Sequence, residues 1–159
     1  MADAFGVFAV GGWSAVTALA AFAGTLAFSQ LFGVPGRHAL PCGAIGTAGW
    51  VLYAALAPRV SPALAILAAT MLVALLSRFA AVWRRAPATV FLIAGIFPLV
   101  PGGDLYWTAY ALVTGEAERR IATGFSALQS AAAIALGIAL VFELPGKLFG
   151  LPEKKRRDK

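Results

Sequence analysis

The side chains able to do chemistry in this sequence gather in residues 91–116, FLIAGIFPLVPGGDLYWTAYALVTGE. Pro98, Pro101, Gly102 and Gly103 lead into Asp104, and Tyr106, Trp107 and Tyr110 follow it. An aspartate near the centre of a membrane helix costs about 3 kcal/mol, so it takes a partner or a function. Three roles are open to Asp104. As a helix cap it accepts from the backbone N–H groups of Tyr106 or Trp107. As a ligand group it meets the ammonium of an amino acid whose carboxylate faces the free N–H groups of a helix start. As a proton carrier it couples ligand movement to a proton gradient. Tyr106 and Tyr110 share one helical face, as aromatic packing or as the wall of a site. Gln129 offers an amide for a cross-helix hydrogen bond or a ligand contact.

No other constellation has catalytic or metal-binding form. HExxH, GxSxG, P-loop and dinucleotide fingerprints are absent. The one cysteine, Cys42, excludes an internal disulfide and a multi-cysteine metal site and reads as a packing residue. The one histidine, His38, reads as a residue of the membrane interface. The chain is therefore read as a non-enzyme without cofactor or metal.

The elements that must position Asp104 are membrane spans. The 159 residues are 60% hydrophobic and only 13% charged, with a mean hydropathy of +0.83. Soluble domains carry roughly 25% charged residues. The fold class is an all-α integral membrane protein of about five transmembrane helices, the fourth broken at mid-membrane. Residues 1–146 form the transmembrane domain and residues 147–159 a basic cytoplasmic tail.

The first span is expected over residues 5–28, with Asp3 in place of the positive lead of a signal peptide. Thr17, Ala21, Thr25 and Ser29 give it a small-residue face. Residues 30–41 read as a connector. A glycine-rich second span follows over 39–57, in which Gly43, Gly46 and Gly49 keep one side bare for close packing or for substrate contact. The third span covers 62–83 with Pro62 in its first turn. Trp83, Arg84 and Arg85 mark an interface, and Arg78 reaches back to the same surface. The broken fourth span enters at about Ala88, stops near Ile96 or Phe97 and restarts after Gly103, because proline removes an N–H and glycine loosens the backbone. In lipid such a break survives only inside protein or beside a wet cavity, and mid-membrane breaks commonly form transporter binding sites. The fifth span, over 121–144, carries Ala127, Ala131, Ala135 and Ala139 as a second small-residue ladder, and Glu143 near its end has Lys147 in reach.

The net charge of +6 does not point to nucleic acid, because six of the thirteen basic residues lie in the last thirteen positions. Five spans put Arg37, Arg78, Arg84, Arg85 and the basic tail on one side. Arg59, Arg119 and Arg120 lie on the other. The positive-inside rule makes the first side cytoplasmic, with the amino terminus outside and the tail against anionic lipid.

FPLVPG at residues 97–102, between an apolar half-segment and a tyrosine, resembles the PxxPG signature of bacterial threonine/serine exporters, in their small-subunit type. FGVPGR at 32–37 with nearby Cys42, the glycine-rich second span and LPG at 144–146 before the basic tail fit the same type in order. The resemblance implies a subunit of a secondary transporter in the bacterial inner membrane. Such exporters move threonine- and serine-like amino acids or, in some members, dicarboxylates such as succinate, and the small subunit works with a larger membrane subunit. The substrate-binding candidates are Pro98, Pro101, Gly102, Gly103, Asp104, Tyr106 and Gln129. The family signature does not demand an acid at Asp104, whose role rests on its own chemistry. A larger subunit with an odd number of spans would pair with this chain in inverted orientation. A non-transporting scaffold and a channel are the competing classes, and a scaffold has no use for a mid-membrane break.

The orientation is testable. In a Cys42→Ser background, single cysteines replacing Ala2 and Asp158 should react from opposite sides of the membrane. Reaction of both from one side removes the five-span topology.

Overall fold

The computed structural model describes residues 15–145. Helices run over Ala15–Leu31 (α1), Gly36–Leu56 (α2), Pro62–Arg84 (α3), Ala88–Ile96 (α4), Gly102–Thr114 (α5) and Ala117–Phe142 (α6), with a 3-10 turn at Phe97–Leu99 after α4. No strand occurs among the described residues. Helices α2, α3 and α6 are long and apolar enough to cross a membrane, and α4 with α5 makes one further crossing bent by 57°. The 17 residues of α1 are apolar but stand at the short end of the spanning range, so the described residues show up to four crossings with α1 beside them. Residues 5–14 of the expected first span, and the tail with Lys147, lie outside the described residues.

The proposed connector over residues 30–41 needs correction. The chain turns within Phe32–Pro35 alone, because Gly33 takes a φ of +68° and lets the Val34 N–H reach the Ser29 carbonyl at 2.9 Å. Pro35 then starts α2 at once, and Pro41 sits inside that helix. The bond that Pro41 forgoes is the one to the carbonyl of Arg37, an exposed residue at the helix start. His38 lies in the first turn of α2, covered by protein beside Arg37 at the basic end. It is buried to 4% exposure, stands edge-on to Phe91 and accepts a hydrogen bond from the Arg37 guanidinium at 3.0 Å. The fifth span also begins a turn earlier than expected, since the left-handed Gly115 ends α5 and α6 starts at Ala117.

Helix α4 is the centre of the packing. It packs on both α2 and α3, which also pack on each other, with α1 chiefly against α2 and α6 against α3. Cys42, Ile45, Val73, Phe91, Leu92 and Leu99 form the shared core. Close approach is made by the bare face of α2, where Phe22 and Leu26 cover Gly43, Thr25 covers Gly46 and Val73 covers Gly49. Without a hydrophobic driving force in lipid, such backbone proximity supplies the van der Waals contact that holds helices together. The three glycines thus serve packing. The alanine ladder of α6 does not: Ala127 is buried, but Ala131, Ala135 and Ala139 are exposed, and α6 instead buries Ser130, Ala133, Gly137 and Val141.

Arg78 settles how the broken segment runs. Its guanidinium donates to the carbonyls of Val141 and Leu144, the latter at 3.0 Å, and lies over the Phe142 ring. The carboxyl ends of α3 and α6 are therefore side by side, and Gly137 against Thr70 continues the same parallel register. Helix α4 leaves from that end and α6 returns to it, so α4 and α5 together cross rather than re-enter. Cations at a helix carboxyl end also satisfy its free carbonyls.

The packing generates a paired test. Gly49→Val drives a branched side chain into Val73, whereas Gly24→Val on α1 meets nothing within 4 Å. Gly49→Val should lower stability by about 1–3 kcal/mol in detergent-solubilised thermal unfolding, with Gly24→Val close to wild type. Equal behaviour of the two variants contradicts the close approach.

Candidate functional site

The break is built by prolines more than by glycines. Pro98 tightens the end of α4 into the 3-10 turn, whose Phe97 ring stacks on Phe28 of α1 at 3.3 Å between centroids. Leu99 is buried beneath Gly49 and near Val73, the middle residue of α3, which sets the break at mid-depth. Pro101 follows at φ −76° and ψ 55°, and the Gly102 N–H bonds the Val100 carbonyl at 2.7 Å. That is an inverse γ-turn. Gly102 and Gly103 do not use left-handed angles. They are the first two residues of α5, which starts two residues earlier than the sequence implied, and the space above both is open for 4 Å. No side chain caps α5, and the N–H groups of Gly103 and Asp104 meet no acceptor among the described residues.

Asp104 is the third residue of α5, so the capping role is ruled out by position as well as by bonding. Its Oδ2 instead accepts a hydrogen bond from the Ser126 hydroxyl of α6 at 2.6 Å, the length of a charge-assisted bond. The other oxygen has no hydrogen-bond partner among the described residues. One turn on, the Thr108 hydroxyl lies 2.7 Å from the Asp104 carbonyl and 2.9 Å from the Thr123 hydroxyl, which in turn is 2.8 Å from the Arg119 carbonyl. Tyr53 of α2 is within electrostatic range of Asp104. The site thus has a half-buried carboxylate, open backbone N–H groups and a seam of hydroxyls between α5 and α6. It can offer acceptors to a cation and donors to an anion within one short stretch of chain.

The structure gathers some of the expected residues and disperses others. Pro98, Pro101, Gly102, Gly103 and Asp104 form the break. Tyr106 is 63% exposed and Tyr110 is also exposed, with Trp107 edge-on between their rings and the Arg119 guanidinium over Trp107. Gln129 is exposed on α6 and makes no hydrogen bond to a described residue. The cross-helix bond expected of Gln129 is made by Ser126, one turn earlier. Ser126, Thr108, Thr123 and Tyr53 were not picked out by sequence reasoning. A signal for the first three exists: Asp104 and Ser126 each stand eleven residues from Gly115, so folding the chain at that glycine brings them face to face. No group of three or more His, Cys, Asp or Glu side chains suited to a metal ion occurs among the described residues.

The family described as Threonine/Serine exporter, ThrE, matches residues 17–143, from within α1 to just past α6. No curated protein and no solved structure matches the chain. The family match spans the break, the α5–α6 hairpin and all the helices that frame them. This chain belongs to the threonine/serine exporter family.

Proposed function

We propose that this chain is the small membrane subunit of a secondary exporter for threonine, serine and related small polar metabolites, and that the substrate sits at the break between α4 and α5. The observation that carries this reading is the juxtaposition of the Asp104 carboxylate with the uncapped N–H groups of Gly103 and Asp104 at mid-depth. An amino acid brings both signs of charge. Its carboxylate suits the N–H groups and positive end of α5, and its ammonium suits Asp104. The open space over Gly102 and Gly103 gives a ligand direct approach to the backbone. A dicarboxylate such as succinate lacks the ammonium, so its passage is matched by a proton on Asp104. The same proton site provides the coupling to the proton gradient.

Exposure of the break argues for a larger membrane subunit as partner. Val100 is 44% exposed and Gly102 and Gly103 are exposed, although irregular backbone is not tolerated against lipid tails. Helix α5 packs chiefly on α6, leaving its Tyr106, Tyr110 and Val113 side uncovered. A second membrane protein covers that side and closes the cavity. The end that carries Arg37, Arg78, Arg84 and Arg85 faces the cytoplasm of the bacterial inner membrane, and the amino terminus faces outward. The tail over residues 147–159 rests on anionic lipid.

The test uses cells loaded with a threonine- or serine-containing dipeptide and expressing the chain with the larger subunit. Asp104→Asn and Gly103→Val should reach the membrane at wild-type levels and export threonine at least about tenfold more slowly, since a lost charged hydrogen bond is worth roughly 1.5–3 kcal/mol. Near-normal export by Asp104→Asn refutes the role of the charge, and near-normal export by Gly103→Val refutes the break as the site.

A further inference from the structure

The Ser126–Asp104 bond bears on specificity at the site proposed above, on which this inference rests. Asp104 offers two carboxylate oxygens. One is held by a serine hydroxyl at 2.6 Å and the other has no hydrogen-bond partner among the described residues. Threonine and serine carry an ammonium and a hydroxyl on adjacent carbons, so the two donors project side by side. A carboxylate is the natural acceptor for such a pair, one oxygen for each donor, in the manner of a bidentate contact. The hydroxyl of Ser126 is the chemical group that a bound threonine or serine would present. We propose that Asp104 recognises the vicinal ammonium and hydroxyl of the substrate as a pair, and that Ser126 occupies the hydroxyl position while the site is empty.

The surroundings fit an exchange of donors. Ser126 belongs to α6, whereas Asp104 belongs to α5, which begins at the proline turn and packs chiefly on α6. A small change in the α5–α6 separation at this level breaks the latch without disturbing the core around α4. The Thr108–Thr123 contact, one turn further along, keeps the hairpin in register meanwhile. A hydroxylated substrate replaces the lost donor on Oδ2. An isostere such as valine, with a methyl in place of the hydroxyl, does not. Excluding valine then follows from an unsatisfied carboxylate oxygen rather than from steric fit, and polar sites discriminate strongly in this way. Ser126 is a specificity-determining residue that acts through Asp104.

The experiment measures uptake into inside-out membrane vesicles that contain the full chain and the larger subunit. Half-saturating concentrations are compared for threonine and valine, with homoserine, whose hydroxyl is one carbon further out, as a competitor. Wild type should favour threonine over valine and homoserine by at least about tenfold. Ser126→Ala removes the internal competitor, so half-saturation by threonine should fall roughly three- to tenfold while valine gains nothing. The threonine-to-valine ratio therefore widens. Ser126→Thr keeps the hydroxyl and should return the wild-type ratio. A merely structural serine would lower the maximal rate for both substrates and leave the ratio alone, and that result overturns the proposal. Wild-type vesicles that take up valine as well as threonine overturn it without any variant. If the ratio is unchanged in Ser126→Ala while Asp104→Asn abolishes uptake, the latch is wrong and the site stands. If Asp104→Asn transports normally as well, the site falls and the latch with it.

Discussion

The constraint on which this structure depends is the hydrogen-bonding demand of a backbone interrupted at mid-membrane. A continuous helix satisfies its own polar groups, but Pro98 and Pro101 remove two donors and end that self-sufficiency between Leu99 and Gly102. The carbonyl side is settled locally, by the 3-10 turn and the γ-turn that returns the Gly102 N–H to Val100. The N–H side is left open at Gly103 and Asp104. A membrane protein keeps such groups open only where something polar arrives to meet them. Asp104 and its hydroxyl seam give that place a counter-charge, so the local defect has the polarity a zwitterion needs.

The rest of the fold surrounds one side of the break with several helices and gives the other mainly a single neighbour. Helix α4 packs on both α2 and α3, where glycines bring the backbones together and Phe91, Leu92 and Leu99 fill the space. Helix α5 has mainly α6 for a neighbour. Their contact relies on Ser126, Thr108, Thr123 and Gly124, small groups that give directional bonds and little apolar area. Arg78 fastens the far end of α6 to α3. The hairpin is thus tied to α3 at the basic end and held at the level of Asp104 by side-chain hydroxyl bonds.

Much of this was legible in the residues. Proline and glycine mark chain interruption through local sterics, so the limits of α4 and the third span came out nearly as read. The alanine ladder of α6 misled because periodicity gives a face but not its neighbour: Ala131 and Ser130 lie on different sides of one helix, and only the position of α3 decides which is buried. Pro41 misled because a proline near a wet helix start forgoes a bond that water replaces. Glycine at 102 and 103 suggested unusual angles, yet both residues are helical and what their missing side chains supply is open space. Ser126 escaped notice since single serines in apolar helices are common, and its meaning depends on the hairpin register set by Gly115. Membership of the threonine/serine exporter family was carried by the PxxPG stretch and the landmarks around it, which lie within the matched residues or border them.

The central claim is that the break lines a wet cavity that receives the substrate. Its most direct test is a cysteine at Gly103, in a Cys42→Ser background, in membranes containing the chain and the proposed larger subunit. A small hydrophilic thiol reagent should modify Gly103→Cys, and threonine should slow that modification in a saturable way. No modification, or modification at a rate indifferent to threonine, contradicts the account.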